Sequence, residues 1–279
     1  MPIDMSAVGK ELAPGTFEYT KEDVILYALG VGATTDELDF VYEKNLKVLP
    51  TFAVIPGMSA MGGMMDVMKG VNPGMLVHGE QRIELRAPIP TSGRLTGQGR
   101  ISAIYDKGSG ALLVVDSETK GESGNVIFTN TFGAFIRGEG GFGGERGPSA
   151  SSKNVPPERA PDHTVEYKTL PQQAAIYRLS GDPNPLHIEP EFAKLAGFDK
   201  PILHGLCTFG HVGRAILHAR CDGDAARFKD FEVRFSGVVY PGETIVTDMW
   251  DEGAGRLIVQ ARTAERGEAV ISNAAATVA

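Results

Sequence analysis

Two stretches of alternating apolar and polar residues decide the fold of this chain: QRIELRAPIP at residues 81–90 and FEVRFSGVVY at residues 231–240, 150 positions later. Alternation with a period of two is typical of a β-strand that buries one face, and each stretch runs into a turn. The same shift of 150 residues relates ILYALG at 25–30 to AIYRLS at 175–180, two apolar helical segments. The chain is therefore predicted to contain a duplicated unit in which a helical segment precedes a sheet.

A glycine-rich segment separates the two halves. Residues 138–161 read GEGGFGGERGPSASSKNVPPERAP, which has neither helical nor strand periodicity. A phosphate cradle is the alternative, but the Lys-Ser/Thr pair and the helix that should follow it are missing, so a flexible connection is favoured. We predict an N-terminal unit at 1–137, a linker at 138–161 and a C-terminal unit at 162–279.

The sheet pattern is clearest in the C-terminal unit. Short turns divide four alternating stretches, at 231–239, 244–252, 257–263 and 269–278. Strands connected by short turns pair antiparallel, and such a sheet must bury one face against a helix. The sequence therefore predicts an α+β fold in which each unit wraps a sheet around a central helix, with these helices at 25–30 and 175–180.

Composition excludes several classes of function. The chain has 279 residues with 27 Lys and Arg against 35 Asp and Glu, a net charge of −8, so generic attraction to nucleic acid or anionic lipid is not expected. No apolar run reaches the roughly 20 residues of a membrane span, and the N-terminus lacks a secretory signal pattern. Cys207 and Cys221 lack a Cys-x-x-Cys spacing and are expected to be buried thiols. A soluble intracellular protein is expected.

The densest group of chemically active residues is YRLSGDPNPLHIEP at 177–190. Its prolines remove backbone donors and favour extended geometry in the residues before them, so the segment is predicted to be a stiff loop. On this loop Asp182 and His187 are close enough to act as an acid–base pair on one water, with Asn184 between them. The alternative is that Asp182 and Asn184 form Asx turns and that His187 packs. No third clustered carboxylate or His-x-x-x-His pattern completes a metal site, so none is predicted.

A second group, GFDKPILHGLCTFG at 197–210, is predicted to begin a helix after Pro201. His204 and Gly205 fall at or near the N-terminus of that helix, where free N–H groups suit an oxyanion. The Gly205 amide is therefore a candidate for polarising a carbonyl group. The alternative is that Gly205 only permits close packing of the helix.

These two groups resemble the signature of the MaoC-like (R)-specific enoyl-CoA hydratases, the hydratase 2 type found in peroxisomal multifunctional enzyme type 2. Further stretches similar to that family are DVILYALGVG at 23–32, LPTF at 49–52, LVHGEQ at 76–81, DKGSG at 106–110 and GGFGG at 140–144. The resemblance implies a double hot dog fold, in which two repeats each wrap an antiparallel sheet around a long helix. It also implies that only the second repeat keeps the catalytic loop, and indeed neither Asp nor His occurs in the ALGVGA that follows Tyr27.

The resemblance further implies an activity, the reversible addition of water to trans-2-enoyl-CoA to give (3R)-3-hydroxyacyl-CoA in fatty acid or related acyl-CoA metabolism. This reaction needs a held water, a proton for C2 and stabilisation of the thioester oxygen. We assign Asp182 and His187 to the acid–base steps, Asn184 to orienting the water and the Gly205 amide to the oxygen. No cofactor is expected, because the CoA thioester is itself the substrate.

By resemblance, the ligand site is also lined by His78, Gly79, Lys107 and Phe235. Lys107 is a sensible contact for a phosphate of CoA, although exposed turn lysines are common without any ligand. The Met- and Gly-rich stretch at 58–75 has the soft apolar composition that could accommodate an acyl chain, or else it forms a surface loop with packing methionines. A hot dog acyl-CoA thioesterase and a noncatalytic acyl-CoA or lipid carrier are the alternatives to a hydratase.

The expected partner is the acyl-CoA substrate, with neither nucleic acid nor membrane, and a homodimer is a further expectation. The final residues, ATVA at 276–279, carry no Ser-Lys-Leu type peroxisomal address. A bacterial cytoplasmic enzyme is therefore expected.

Overall fold

A computed structural model describes residues 3–149 and 153–279; of the predicted linker, residues 150–152 lie outside this part. Within it the β-strands are β1 Gly15–Tyr19, β2 Leu76–Leu85, β3 Gly93–Asp106, β4 Gly110–Lys120, β5 Val126–Arg137, β6 His163–Lys168, β7 Phe228–Phe235, β8 Thr244–Asp251, β9 Arg256–Thr263 and β10 Ala269–Val278. The α-helices are α1 Lys21–Gly30, α2 Leu38–Val41, α3 Val54–Gly57, α4 Met64–Val67, α5 Gln173–Tyr177, α6 Pro190–Leu195 and α7 Gly205–Cys221.

All ten of these strands form one antiparallel sheet in the order β1-β3-β4-β5-β2-β7-β10-β9-β8-β6. The second five strands repeat the order of the first five in reverse, which requires a local two-fold axis between β2 and β7. Arg82 and Glu232, 150 positions apart, lie opposite each other in this pairing. The duplication and the α+β double hot dog fold are thus confirmed.

Helix α7 is the long helix of the second half, with 17 residues. It packs on β7, β8 and β10 and also reaches the first half, because Gly210 and Gly213 bring its backbone close. A Cβ atom on Gly210 would lie 2.3 Å from the Val31 side chain, and one on Gly213 would lie 2.3 Å from Thr51. The prediction that the second central helix lies at 175–180 was wrong, because burial on the sheet, rather than intrinsic propensity, determines where the long helix forms.

The first half has no comparably long helix in the part of the chain that the structure describes. Helix α3 and the 3-10 turn Met58–Met61 pack instead on β3 and β4. Met68 is buried on this side of the sheet with Ile104, whereas Met58 and Met65 are exposed. The methionine-rich stretch is therefore partly core and partly surface, and its role in holding an acyl chain stays a prediction.

The matching helical segments of the two halves contact each other near the local axis. The rings of Tyr27 and Tyr177, which occupy equivalent positions, are both buried and lie 6.1 Å apart between centroids. The Gln173 side-chain amide donates to the carbonyl oxygens of Leu29 at 3.0 Å and Gly30 at 2.7 Å, at the end of α1. The two halves therefore share one core.

A buried ion pair also joins the halves. The guanidinium of Arg214 on α7 is 2% exposed and donates to both carboxylate oxygens of Glu37 and to the Val31 carbonyl. His218 Nε2 lies 3.0 Å from the same carboxylate. Burial alone would raise the pKa of Glu37, but the hydrogen bonds from His218 and Arg214 lower it to about 2.

We predict that Glu37→Ala destabilises the protein by about 3–5 kcal/mol, because it leaves a buried guanidinium without its carboxylate. Urea unfolding at neutral pH measures this loss. Glu191→Ala is the matched control, since its ion pair with Lys194 is exposed and its removal should cost less than about 1 kcal/mol. Equal losses in the two variants would contradict the structural role of the buried pair.

The same carboxylate predicts an acid-dependent loss of stability. The pKa of Glu37 is lower in the folded protein, at about 2, than its ordinary value of 4.5, so its contribution is present above the ordinary value and is lost as the pH falls toward the folded value. Glu37→Gln should therefore reduce the slope of unfolding free energy against pH between about pH 5 and pH 3. An unchanged slope would count against this assignment.

Candidate active site

The loop after α5 is shaped by two consecutive Asx turns. Asp182 Oδ1 accepts a hydrogen bond from the Asn184 N–H at 3.2 Å, and Asn184 Oδ1 accepts one from the Leu186 N–H at 3.0 Å. The alternative prediction, that these side chains form turns, is therefore correct for both. The turns occupy one carboxylate oxygen of Asp182, while Oδ2 lies 4.0 Å from His204 Nε2.

His187 is held in one tautomer. Its Nδ1 lies 2.9 Å from the carbonyl oxygen of Ile202, and because a carbonyl only accepts, Nδ1 carries the proton and Nε2 keeps the lone pair. Burial lowers the pKa of His187, although the Ile202 carbonyl and the Asp182 charge oppose this change. The imidazole is therefore neutral near pH 7 and can accept a proton at Nε2.

His204, which was not predicted as a site residue, completes the group. Its ring is 1% exposed and stacks on the His187 ring with centroids 3.7 Å apart. Its Nε2 lies 3.3 Å from the Asp182 carbonyl oxygen. Burial and the neighbouring His187 lower the pKa of His204 to about 3, so its ring stays neutral. The one feature of the sequence that could have indicated His204 as a site residue is its position directly before Gly205.

Asp182, His187 and His204 could also be considered as metal ligands, since their ligand atoms lie within 4.8 Å of one another. However, two stacked imidazole rings project their in-plane lone pairs side by side rather than toward one point. His187 Nδ1 and His204 Nε2 also face carbonyl oxygens. The arrangement suits proton transfer better than metal coordination.

Gly205 is the first residue of α7, with His204 as N-cap. Its N–H has no backbone or side-chain acceptor within the ranges that the structure describes. A first-turn amide of a long helix is a favourable donor to developing negative charge. On its other side the Phe235 ring lies against it, since a Cβ atom on Gly205 would be 3.4 Å from the ring. Gly205 therefore has the features of both alternatives: it packs closely on Phe235, and its N–H group has no acceptor in the described ranges.

His78 and Gly79 reach the site from the first half. The pairing of β2 with β5 shifts between His78, opposite Ala134, and Glu80, opposite Gly133, so Gly79 forms a β-bulge. The bulge turns His78 and Glu80 to opposite faces of the sheet. The His78 ring lies 4.9 Å from the Phe235 ring between centroids. Burial lowers the pKa of His78 to about 4, and the nearby Asp182 charge partly opposes this.

A cavity of about 680 Å³ lies where β2 and β7 meet. Three of the predicted ligand residues, Gly79, Lys107 and Phe235, are in its wall. Phe235 separates the cavity from the acid–base group, because it lines the cavity and also contacts His78 and Gly205. Lys107 is more than an exposed turn residue, since its Nζ donates to the carbonyl oxygens of Arg146 at 2.6 Å and Pro148 at 3.0 Å.

Three arginines in the same wall were not predicted: Arg137, Arg146 and Arg234. None of them forms an ion pair with a carboxylate in residues 3–149 or 153–279. One carboxylate, that of Glu80, lies in the same wall, so four basic side chains face one acidic side chain. In a chain with a net charge of −8, this local excess of cations favours a polyanionic ligand. No sequence signal could have grouped them, because β5, β7 and the glycine-rich segment come together only in the fold.

The predicted residues thus fall into two adjoining groups. One is the acid–base loop with Asp182, Asn184, His187 and Gly205, and the other is the cavity wall with Gly79, Lys107 and Phe235, while His78 contacts Phe235 between them. The Asn184 side chain is exposed and engaged in a turn through its oxygen. The individual roles of these residues stay predictions.

Both halves match known family models. Residues 17–138 match the MFE-2 hydratase 2 N-terminal domain, and residues 152–274 match the MaoC like domain. The chain is similar to the peroxisomal enoyl-CoA hydratase 2 of Arabidopsis thaliana, with 41% identity covering 92% of this chain and 89% of that protein. It is also 46% identical to the peroxisomal multifunctional enzyme type 2 of Mus musculus, covering 97% of this chain but only 38% of that protein. The chain thus spans little more than a third of this multifunctional relative.

Solved structures show the same fold. The MaoC-like dehydratase from Phytophthora capsici superimposes with a TM-score of 0.90 and 36% identity, covering 99% of this chain and 98% of that one. A Mycobacterium tuberculosis protein described as having a double hotdog fold superimposes with a TM-score of 0.56 at 11% identity, covering 95% and 96% of the two chains. The second likeness concerns the fold alone.

We predict that the pKa of His187 lies below the ordinary histidine value and falls further in Asp182→Asn, because the Asp182 charge favours the imidazolium. An NMR titration of the imidazole signals, assigned with His187→Gln, measures both values. Asp199→Asn removes an exposed carboxylate from a nearby loop and should leave the titration unchanged. A His187 pKa that rises in Asp182→Asn would contradict the conclusion that the Asp182 charge acts on His187.

Proposed function

The chain belongs to the enoyl-CoA hydratase 2 family of MaoC-like proteins, and from this premise we propose that it is an (R)-specific 2-enoyl-CoA hydratase. This hydro-lyase adds water reversibly to trans-2-enoyl-CoA and gives (3R)-3-hydroxyacyl-CoA in fatty acid metabolism. The observation that carries the proposal is the stiff loop holding Asp182 and His187 beside the unpaired amide of Gly205. The relatives named enoyl-CoA hydratase 2 and multifunctional enzyme type 2 support it.

The acid–base pair would act on a single water. His187 Nε2 has a lone pair because its Nδ1–H donates to the Ile202 carbonyl, and the Asp182 carboxylate has one oxygen outside its Asx turn. As the water oxygen attacks C3, the pair accepts a proton, and delivery of a proton from the pair to C2 balances the addition. The reverse sequence dehydrates the 3-hydroxyacyl thioester, so the same groups serve both directions.

The Gly205 amide would stabilise the charge that develops on the thioester oxygen. Attack at C3 pushes electrons through C2 onto that oxygen, and an unpaired N–H at a helix N-terminus meets it with no rearrangement of the protein. The neutral rings of His78 and His204 keep this region free of competing charge, since burial lowers the pKa of both. Orientation of the water by Asn184 would use its Nδ2, because Oδ1 is held by the Leu186 N–H.

The cavity lined by Lys107 and the three arginines would bind the phosphates of CoA. Phe235, between the cavity and Gly205, marks the passage along which the thioester arm would reach the acid–base pair. An acyl-CoA substrate would thus have a cationic subsite for its charged end, and for its reactive end a site in which buried, neutral histidine rings surround one half-exposed carboxylate.

We keep cytoplasmic location and a homodimer as proposals. No helix in the described ranges is long and apolar enough to cross a membrane. The relatives' names include peroxisomal enzymes, so fractionation of the source cells is the test of location. Sedimentation equilibrium of the purified chain tests the dimer.

We predict that Asp182→Asn and His187→Ala each lower the rate of crotonyl-CoA hydration by at least about 100-fold, because each removes a proton-transfer group. Loss of the enoyl-thioester absorbance measures the rate, and an (R)-specific 3-hydroxyacyl-CoA dehydrogenase reports the stereochemistry of the product. Asp199→Asn is the control and should retain the rate.

Circular dichroism must show that both variants stay folded. Near-native turnover in both would overturn the assignment of the pair. A thioesterase would release free CoA thiol without forming the hydroxyacyl product, and a carrier would bind acyl-CoA without converting it.

A further inference from the structure

We propose that Asp106 is a positioning residue for recognition of the phosphate-bearing end of acyl-CoA. Its carboxylate holds the glycine-rich residues 138–149, here called the glycine strap, against the β3–β4 hairpin and thereby fixes Arg146 and Lys107 in the cavity wall. The proposal rests on the proposed function, because it assigns the subsite that the CoA phosphates of the substrate would occupy.

The Asp106 carboxylate is surrounded by backbone amides. The residue is only 6% exposed, and it forms no ion pair with the residues that the structure describes. Instead, Oδ1 accepts from the N–H groups of Gly108 and Gly141, and Oδ2 accepts from that of Gly143, each at 2.8 Å. Gly141 and Gly143 have φ values of 80° and 78°, which turn their amides toward one point. Such a concave set of amides ordinarily binds an external anion. Here it binds a carboxylate of the chain itself.

This contact explains why the glycine strap is neither a phosphate cradle nor a free tether. The hydrogen bonds from Gly141 and Gly108 hold the pKa of Asp106 below its usual value, so the carboxylate is charged at neutral pH. The structure shows this part of the predicted linker bound to the hairpin, while its flexibility stays a prediction. The amides are already occupied, so an incoming phosphate must be met by side chains.

The strap lies flat on the hairpin. The Asp106 N–H donates to the Glu145 carbonyl at 2.8 Å, and the Gly138 N–H donates to the Ser109 carbonyl at 2.9 Å. A Cβ atom on Gly147 would lie 2.5 Å from the Tyr105 ring, so only glycine permits this approach. The path of the strap is therefore set at both ends and anchored in the middle by Asp106.

The anchored strap organises the cations of the cavity. It supplies the carbonyl oxygens of Arg146 and Pro148 that hold Lys107 Nζ, and it carries the Arg146 side chain into the wall that also contains Arg234. Burial lowers the pKa of Lys107, the nearby Glu80 carboxylate opposes this, and the charges of Arg234 and Arg146 add to the lowering. If the strap detached, Arg146 would leave the wall and Lys107 would lose both acceptors.

The reacting groups would not be affected by such a change. Neither Asp182 nor His187 lines the cavity, and within residues 3–149 and 153–279 neither makes a hydrogen bond to the strap. Loss of the Asp106 contact should therefore weaken binding of the phosphates and leave the chemical step intact. Because the phosphates belong only to the CoA part of the substrate, a thioester without them separates the two effects.

The test compares Asp106→Asn with the unaltered protein on crotonyl-CoA and on crotonyl-N-acetylcysteamine, which has the same enoyl group and no phosphate. The amide of Asn cannot accept all the N–H groups that the carboxylate accepts. We expect KM for crotonyl-CoA to rise about tenfold, because about one ionic contact to the phosphates is lost. The kcat value should change less than about twofold. Turnover of crotonyl-N-acetylcysteamine should not change.

Two further variants sharpen the result. Asp116→Asn makes the same exchange on β4 of the same hairpin, at an exposed residue whose carboxylate accepts from Thr131 rather than from the strap, and should behave as the unaltered protein. Arg146→Gln leaves the strap in place and removes one cation, so it should raise KM for crotonyl-CoA alone and reduce the dependence of that KM on salt.

An equal loss on both thioesters in Asp106→Asn would overturn the proposal, since it would mean a general structural role. An unchanged KM for crotonyl-CoA would also overturn it. If the unaltered protein hydrates neither thioester, the proposed function fails instead. Calorimetric titration with CoA then still decides this inference, because Asp106→Asn and Arg146→Gln should both weaken CoA binding and Asp116→Asn should not.

Discussion

The antiparallel pairing of β2 with β7 is the constraint on which the rest of the structure depends. It joins two five-stranded sheets into one and sets the local two-fold axis, with Arg82 opposite Glu232. It also puts Glu80 opposite Arg234, so the wall of the cavity is built from both halves. The β-bulge at Gly79 lies where this pairing meets that of β2 with β5. Neither half alone contains the cavity.

The site combines neutral histidine rings around the Asp182 carboxylate with a cationic cavity wall. His78, His187 and His204 all have lowered pKa values because burial disfavours their charged forms. The proposed proton transfer at Asp182 would therefore not be opposed by a neighbouring imidazolium charge. Four basic residues line the cavity, where solvent and ligand phosphates can balance their charge: Lys107, Arg137, Arg146 and Arg234. One further cation, Arg178, lies close enough to His204 to add to the lowering of its pKa by burial. In the proposed function, separation of the two regions would let the protein bind the phosphates of a substrate in one place and carry out acid–base chemistry on its uncharged end in another.

The sequence predicted the duplicated architecture well and the long helix poorly. The alternating residues of QRIELRAPIP and FEVRFSGVVY predicted strands correctly, because β2 and β7 each bury one face. The two strands also pair with each other, so that Arg82 lies opposite Glu232, the residue 150 positions later. The long helix was misplaced because α7 contains Gly210 and Gly213, which lower helix propensity and are there to contact the first half. The apolar segment at 175–180 was predicted as the central helix, yet it forms only a short helix that packs on α1 and places the Tyr177 ring 4.9 Å from that of His204.

The candidate site was predicted to the extent that its residues are close together in the chain. Asp182, Asn184 and His187 share a proline-rich loop, and Gly205 begins a helix, so local rules identified them. His204 belongs to the site because its ring stacks on His187. Arg137 and Arg234 belong to it because the register of the sheet places both in the cavity wall. Neither the stacking nor the register can be predicted from local sequence rules. The contacts of the glycine-rich segment with the hairpin were not predicted, because its partner, Asp106, lies more than 30 positions earlier.

The strand order also limits how the sheet can grow. An open sheet presents unpaired backbone groups at its two edges, which can recruit further strands and lead to aggregation. Here the edges are β1 and β6, the two shortest strands, with five and six residues. The outward positions of β6 include Glu166 and Lys168, whose charges would have to be desolvated by any incoming strand. Sheet extension is thus disfavoured at the edges, while the longest strands, β3 and β5, are paired on both sides.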